Sequence, residues 1–280
     1  MPPAQSPPNT APRTDPPFTV HTEAVPALVD RAARVPEAAE LVVTPEQLHR
    51  RNLRDRLRRA DAPQSAFRFV QPVDVARQVA GAANAPTERL DRVDRLYHLD
   101  GALDDARDRD AEWWRSLAVS MGADLTAAVE AVEHLRNEVE TTTGFHPDRL
   151  ATLRERAREL GAPDRDDALA RVDAAVELQR ALARRVEVAP TGDAVTRGAT
   201  RKLAAHGQSL WAEAYPNVER VTVAGVSTVG ATLADLLAVL SRRTDATVGL
   251  HLRHATGDRL ADRLGQLSAI DAPGSTVVDA

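Results

Sequence analysis

Cysteine is absent from the chain, and its absence removes whole classes of chemistry: disulfides, thiol catalysis, zinc–thiolate sites and cysteine-held iron–sulfur clusters are excluded. Aromatic residues make up only 3% of the chain, so any core must be built from Ala, Val and Leu. Lysine is nearly missing too. Lys202 is the only one, and the remaining basic residues are arginine. No apolar run approaches the length of about 18 residues that a bilayer span requires, and the N-terminus carries no apolar signal core. These absences predict a soluble, cytoplasmic protein with no membrane partner. The formal net charge of -5 argues against a generally basic coat, so any nucleic-acid contact must be local. Arginine in place of lysine, with abundant Ala, Asp, Val and Thr, is the composition of GC-rich genomes, salt-adapted ones included.

What is present divides along the chain into four parts. Residues 1–17 (MPPAQSPPNTAPRTDPP) are too rich in proline and too poor in apolar residues to pack, and are expected to form a disordered tail. Over 18–86, short apolar runs precede helical patterns: Phe18 to His21 before a helix near Ala27 to Arg34, Leu41 to Val43 before a helix over Pro45 to Ala60, and Phe67 to Val70 before a helix over Val73 to Ala83. Over 87–214 only helical periodicity is found, as in Leu90, Val93 and Leu96 or Leu125, Val129 and Val132. Over 215–280, strands are expected at Val218 to Ala224, Thr247 to Leu252 and Ser275 to Val278, separated by helices. Repeated strand-then-helix units predict an α/β fold with a parallel sheet, interrupted by a large helical insertion. A chain that stops on Thr276-Val-Val-Asp-Ala280 reads as the front part of something longer, or as a trimmed gene product.

The second helix carries the clearest signal. Arg50, Arg54 and Arg58 recur four apart and so share one side, with Arg51 and Arg59 beside them. Thr44, Pro45 and Gln47 have the spacing of a helix start with a capping box. Such a stripe at the end of a buried strand is a candidate grip on a phosphate backbone. It can equally be a solvated face neutralised by acids elsewhere.

Catalytic motifs are wanting. A phosphate-binding loop needs Gly-x4-Gly-Lys-Ser/Thr, and the first strand-to-helix turn, His21 to Pro26, has neither glycine nor lysine. Gly225-Val-Ser-Thr-Val-Gly230-Ala-Thr232 has the spacing with Ala231 where lysine belongs. It reads as a weakened anion site at a helix N-terminus, or as an ordinary turn with Thr232 and Asp235 capping the helix. His251 and His254 sit three apart, which an extended segment sends to opposite faces; they read as two partly exposed histidines, and no metal site is expected. The acidic run Asp104 to Asp110 lacks the glycine and the terminal glutamate of a calcium loop and reads as a solvated face with local arginine partners. Trp113, Trp114 and Trp211 could stack on bases or anchor the helical part. No catalytic residue and no cofactor is assigned.

The order of elements resembles the first RecA-like domain of superfamily-one helicases and, more narrowly, the B subunit of AddAB/RexAB-type helicase–nucleases. The residues that carry this resemblance are Val42-Val43-Thr44-Pro45 leading into the arginine helix, Phe67 to Gln78 as a following strand and helix, and Asn217 to Thr228 with the Leu-rich helix after it. It implies a degenerate RecA-like, P-loop NTPase-like fold whose ATP site is lost, since the loop lysine and the paired acids after the strand ending at Ala224 are missing. It also implies contact with single-stranded or tailed DNA through Thr44, Arg50, Arg51, Arg54 and Arg58, a possible helicase–nuclease partner subunit, and work in double-strand-break repair or recombination. Outside the resemblance, the chain reads as an interaction module whose helical part docks a protein, or as an enzyme for a phosphorylated ligand.

Overall fold

The computed structural model describes residues 16–22, 25–34, 39–121, 129–253 and 257–278. It is a mixed α/β structure on a parallel sheet of five strands among the described residues, ordered β1-β5-β4-β2-β3. The first three strand–helix units are β1 (Thr19–Thr22) with α1 (Val25–Ala32), β2 (Glu40–Val43) with α2 (Gln47–Arg59), and β3 (Phe67–Val70) with α3 (Pro72–Ala82). Six helices follow: α4 (Arg92–Asp108), α5 (Glu112–Met121), α6 (Val129–Thr143), α7 (Pro147–Arg158), α8 (Asp164–Arg185) and α9 (Gly192–Ala214). The sheet is then completed by β4 (Arg220–Val226), α10 (Ala231–Arg243) and β5 (Thr247–Leu252), with α11 (Gly257–Ser268) beyond.

Alternation along the strands sorts the side chains between two layers. Leu41 and Val43 of β2 and Val221 and Val223 of β4 face one core, with α3, α9 and α10. Val42 and Ala224 turn the other way, onto Leu28 of α1 and Leu53 and Leu57 of α2. This period of two is what a strand buried on both faces requires. It also places α1 and α2 on one side of the sheet and α3, α9, α10 and α11 on the other.

Helices α4 to α8 have apolar cores of their own, around Leu99, Leu117, Leu178 and Leu182 and around Phe145, Leu150 and Val176. Their two ends meet at a bridge between Arg89 and Ala189, where the Leu90 amide donates to the Ala189 carbonyl at 3.0 Å. Helix α9, by contrast, lies on the sheet side. Its Trp211 is buried there, with its indole N–H donating to the Val218 carbonyl at 3.2 Å and its ring against Tyr215. Trp113 and Trp114 are partly buried edge-to-face in the helical part.

Two sequence expectations fail here. Ser275 to Val278 form no strand: Val278 is buried against the helical part, and the Val277 amide donates to the Phe145 carbonyl at 3.1 Å. A β-branched run is equally suited to filling a hydrophobic notch, and this one does so without a sheet edge to join. Val93 of the Leu90-Val93-Leu96 repeat is exposed, because α4 buries Leu99, Ala102, Leu103 and Ala106 instead. Leu125 lies outside the described residues, as do residues 1–15 of the expected tail.

Candidate nucleic-acid interface

Helix α2 begins two residues later than its sequence suggests. Glu46 is the N-cap, without a side-chain hydrogen bond, so Thr44 does not cap the helix. Thr44 remains part of the strand end: its amide donates to the Val70 carbonyl at 2.9 Å, and its hydroxyl is buried with no hydrogen-bond partner. Leu53 and Leu57 bury the inner side of the helix. About a quarter-turn round the helix from them, by the same 3.6-residue period, Arg50, Arg51, Arg54 and Arg58 line an open groove of about 890 Å³ with Gln47 and Gln64.

The four arginines differ in their engagements. Arg51, Arg54 and Arg58 are exposed and Arg50 is half-buried. Arg54 lies over the Phe69 ring at 4.8 Å, and the Gln64 amide donates to its backbone carbonyl at 3.2 Å, which fixes that turn of the helix against β3. Arg58 pairs with Asp55 one turn earlier. The guanidinium groups of Arg50 and Arg51 make no hydrogen bond or ion pair with any described residue. Arg56, Arg58 and Arg59 crowd the last turn, where the helix dipole favours cations.

The turn after β4 is arranged differently from either sequence reading. Gly230 is the N-cap of α10, and neither Thr232 nor Asp235 caps the helix. The Thr232 hydroxyl is buried and donates to Asp193 of α9, while Asp235 receives Arg149 of α7. Gly230 backs onto the Thr141 carbonyl, so the helical part covers this helix end. Gly225, at φ +75°, faces away from it, on the α1/α2 side, where its carbonyl accepts from Arg253 Nε at 3.1 Å. Gly225, Gly230 and Thr232 therefore frame no common opening. The carboxylate nearest to Thr232 is the protein's own. Burial, then the neighbouring Glu140, pushes the Asp193 carboxyl above its ordinary range.

Behind Asp193 lies a buried charge network. Arg136 reaches Glu133 at 2.7 Å, Glu140 at 2.8 Å and the Gln179 amide oxygen at 2.8 Å. Glu140 also accepts from Thr191 at 2.9 Å and Arg197 at 2.7 Å. These contacts join α6, α8 and α9; the spacing of Glu133, Arg136 and Glu140 on α6 links those three, but nothing in the sequence links them to Gln179, Thr191 and Arg197.

His251 is buried, against expectation, because β5 places it in register with His21 of β1, on whose ring it stacks at 4.8 Å. His254 lies outside the described residues. Among the described residues no group of three potential ligands could hold a metal ion, and no helix is long and apolar enough to cross a membrane. The acidic run does have local arginine partners, in Asp104–Arg107, Asp105–Arg109 and Asp110–Arg115, and Asp105 also pairs with the distant Arg185 of α8.

Sequence reading missed a second polar face of α2. His49, Asn52 and Arg56 recur three and four apart, a helical spacing that puts them on one side, and with Leu53 they wall a cavity at the carboxyl ends of β4 and β5. The periodicity was there to be seen, and the charge of the stripe obscured it.

Residues 8–279 match the family model described as "Halobacterial UvrD-like protein". No curated protein matches the chain.

Proposed function

This chain belongs to the halobacterial UvrD-like protein family, and from that premise we propose that it is a non-catalytic, helicase-like DNA-binding component of double-strand-break repair or recombination. It holds a single strand along α2 beside an active motor, in the manner of an AddAB/RexAB-type B subunit with a helicase–nuclease partner. The observation that carries this reading is the groove face of α2. Four guanidinium groups stand on one side of one helix, and two of them, Arg50 and Arg51, have no protein partner among the described residues. Cations left unpaired in a chain of net negative charge are suited to phosphates. Ala231 stands buried where a phosphate-binding lysine would be, which supports a chain without motor chemistry of its own.

The test is fluorescence anisotropy on a tailed DNA duplex across a salt series, for wild type and for the triple variant Arg51→Glu, Arg54→Glu, Arg58→Glu. Four neutralised phosphates give a slope of log affinity against log salt near about -3 for single strands, and the variant should flatten it. Equal binding by both proteins, or none at low salt, removes the proposal.

A second reading, an adaptor that docks a protein on its helical part, is favoured by one observation. Val93 and Tyr97, one turn apart on α4, are each more than 70% exposed, and neighbouring apolar side chains on one helix face are the start of a contiguous docking patch. Retention of a partner by a Val93→Asp, Tyr97→Asp variant would count against it.

A further inference from the structure

The cavity beside the second face of α2 has the place and the chemistry of a ligand site. Its volume is about 460 Å³, within the usual range for small-molecule pockets. It opens at the carboxyl edge of the sheet. There the chain leaves β2 for α2 on one face and leaves the adjacent β4 for α10 on the other. Such a divergence opens a crevice, and parallel sheets bind their ligands there.

The walls are of two kinds. Leu53, Ala224 and Leu252 give an apolar floor. Asn52 offers both a donor and an acceptor at its edge. The Arg56 guanidinium, exposed at the mouth, makes no hydrogen bond or ion pair with any described residue. Beside the floor lies the Thr44 hydroxyl, buried and without a partner. The register of Val43 with Val223 sets Thr44 next to Ala224 on the same face. Thr44 does not itself line the cavity, so the contacts open to a ligand are those of Asn52, Arg56 and the apolar floor.

We infer that this cavity takes one nucleotide unit, with its base on the floor between Leu53 and Leu252, its edge at Asn52 and its phosphate on Arg56. The unit is either a free mononucleotide or one residue of a bound strand. Only the second source rests on the α2 reading above.

Calorimetric titration of the full-length protein with adenosine monophosphate addresses the free ligand. Oligo-dT compared with an abasic strand of equal length addresses the bound one. Two variants report on the cavity: Asn52→Trp fills it from an exposed helical position, and Arg56→Ala removes the cation. A melting curve for each confirms that it is folded. The expected result is saturable binding of the mononucleotide, weakened about tenfold or more by each variant, the scale of one charge-assisted hydrogen bond or one stacked ring. If Asn52→Trp leaves oligo-dT binding intact while abolishing mononucleotide binding, the free nucleotide is the ligand. If the mononucleotide is silent but oligo-dT outbinds the abasic strand, and Asn52→Trp erases that difference, the unit belongs to the strand. Mononucleotide binding without any strand binding keeps the cavity and removes the α2 reading. A silent mononucleotide together with indifference to base content overturns the inference, as does binding that neither variant weakens.

Discussion

Arg149 of α7 closes on Asp235 of α10 through two guanidinium–carboxylate bonds of 3.0 and 2.6 Å. The two side chains are only 11% and 3% exposed. Arg149 also donates to the Leu267 carbonyl, and Asp235 accepts weakly from the Gly274 amide at 3.4 Å. The pair fastens the helical part to the sheet, and its geometry is the bidentate one in which a buried ion pair can offset its desolvation. Arg149→Ala leaves a carboxylate in the interior with one weak donor, and should cost about 3–5 kcal/mol in urea denaturation. The double variant Arg149→Met, Asp235→Leu should recover most of that loss. A loss below about 1 kcal/mol for Arg149→Ala, the range of a surface pair, would show that the pair is solvated.

The network around Glu140 makes stability depend on pH with two opposite signs. Burial alone would raise the Glu140 pKa, but Arg136 and Arg197 hold it at about 2. Its folded value lies below its unfolded one, so its contribution is present above about 4.5 and is lost as the pH falls towards about 2. Asp193 is raised, so what it contributes is present at low pH and lost as the pH rises through its folded pKa. Glu140→Gln should therefore flatten the acid limb of the stability curve. It should also cost about 3–5 kcal/mol at neutral pH, where Arg136 and Arg197 lose their shared anion. Asp193→Asn keeps an acceptor for Thr232 and removes a strained charge, so it should raise the melting temperature at pH 7 and lose that advantage in acid. A lower melting temperature at pH 7 would mean that Asp193 serves its arginine neighbours more than it repels Glu140.

How much of this was legible in the chain follows from the range of each interaction. β2 and α2 were legible because Leu41 to Val43 and the arginine repeat are local patterns, each complete within about a dozen residues. The cap was misread by two residues: Thr44 is held in the sheet by Val70, a contact across the chain that no local rule anticipates. Arg136 and Glu140 look like an exposed pair four apart on a helix. Their burial is imposed by Gln179, Thr191 and Arg197, tens of residues away. Neither local reading of Thr232, as part of an anion site or as a cap, anticipates its partner Asp193, which comes from another helix. Strand alternation placed the apolar residues, but could not say that His251 would be buried by stacking on His21.

Two glycines of α9 should respond to the same substitution with opposite signs. At Gly207 the helix kinks, with φ 56° and ψ -135°, and a Cβ there would lie 2.9 Å from the Arg243 carbonyl oxygen. Gly207→Ala should cost about 1–3 kcal/mol for the backbone conformation, with the clash in addition. Gly198 sits in regular helix with open space around its Cα hydrogen. There alanine removes the helix penalty of glycine, and Gly198→Ala should stabilise by about 0.5–1 kcal/mol. Thermal melts of the two variants side by side check both signs.

The last prediction turns on Asp55, the only acid among the residues that line the α2 groove. It pairs with Arg58, so Arg58 must leave that partner before it can meet a phosphate, whereas Arg51 has no described partner to leave. Arg51→Ala should therefore flatten the salt dependence of single-strand binding by about 0.7 in the log–log slope, the share of one phosphate. Arg58→Ala should change it less. Asp55→Asn keeps the shape of the side chain and removes its charge, which frees Arg58 and lowers the repulsion that an incoming backbone meets. It should steepen the slope by up to about 0.7 and strengthen binding at low salt. An unchanged slope for Asp55→Asn would place the strand on the turn from Arg50 to Arg54 alone, with Arg58 beyond its reach.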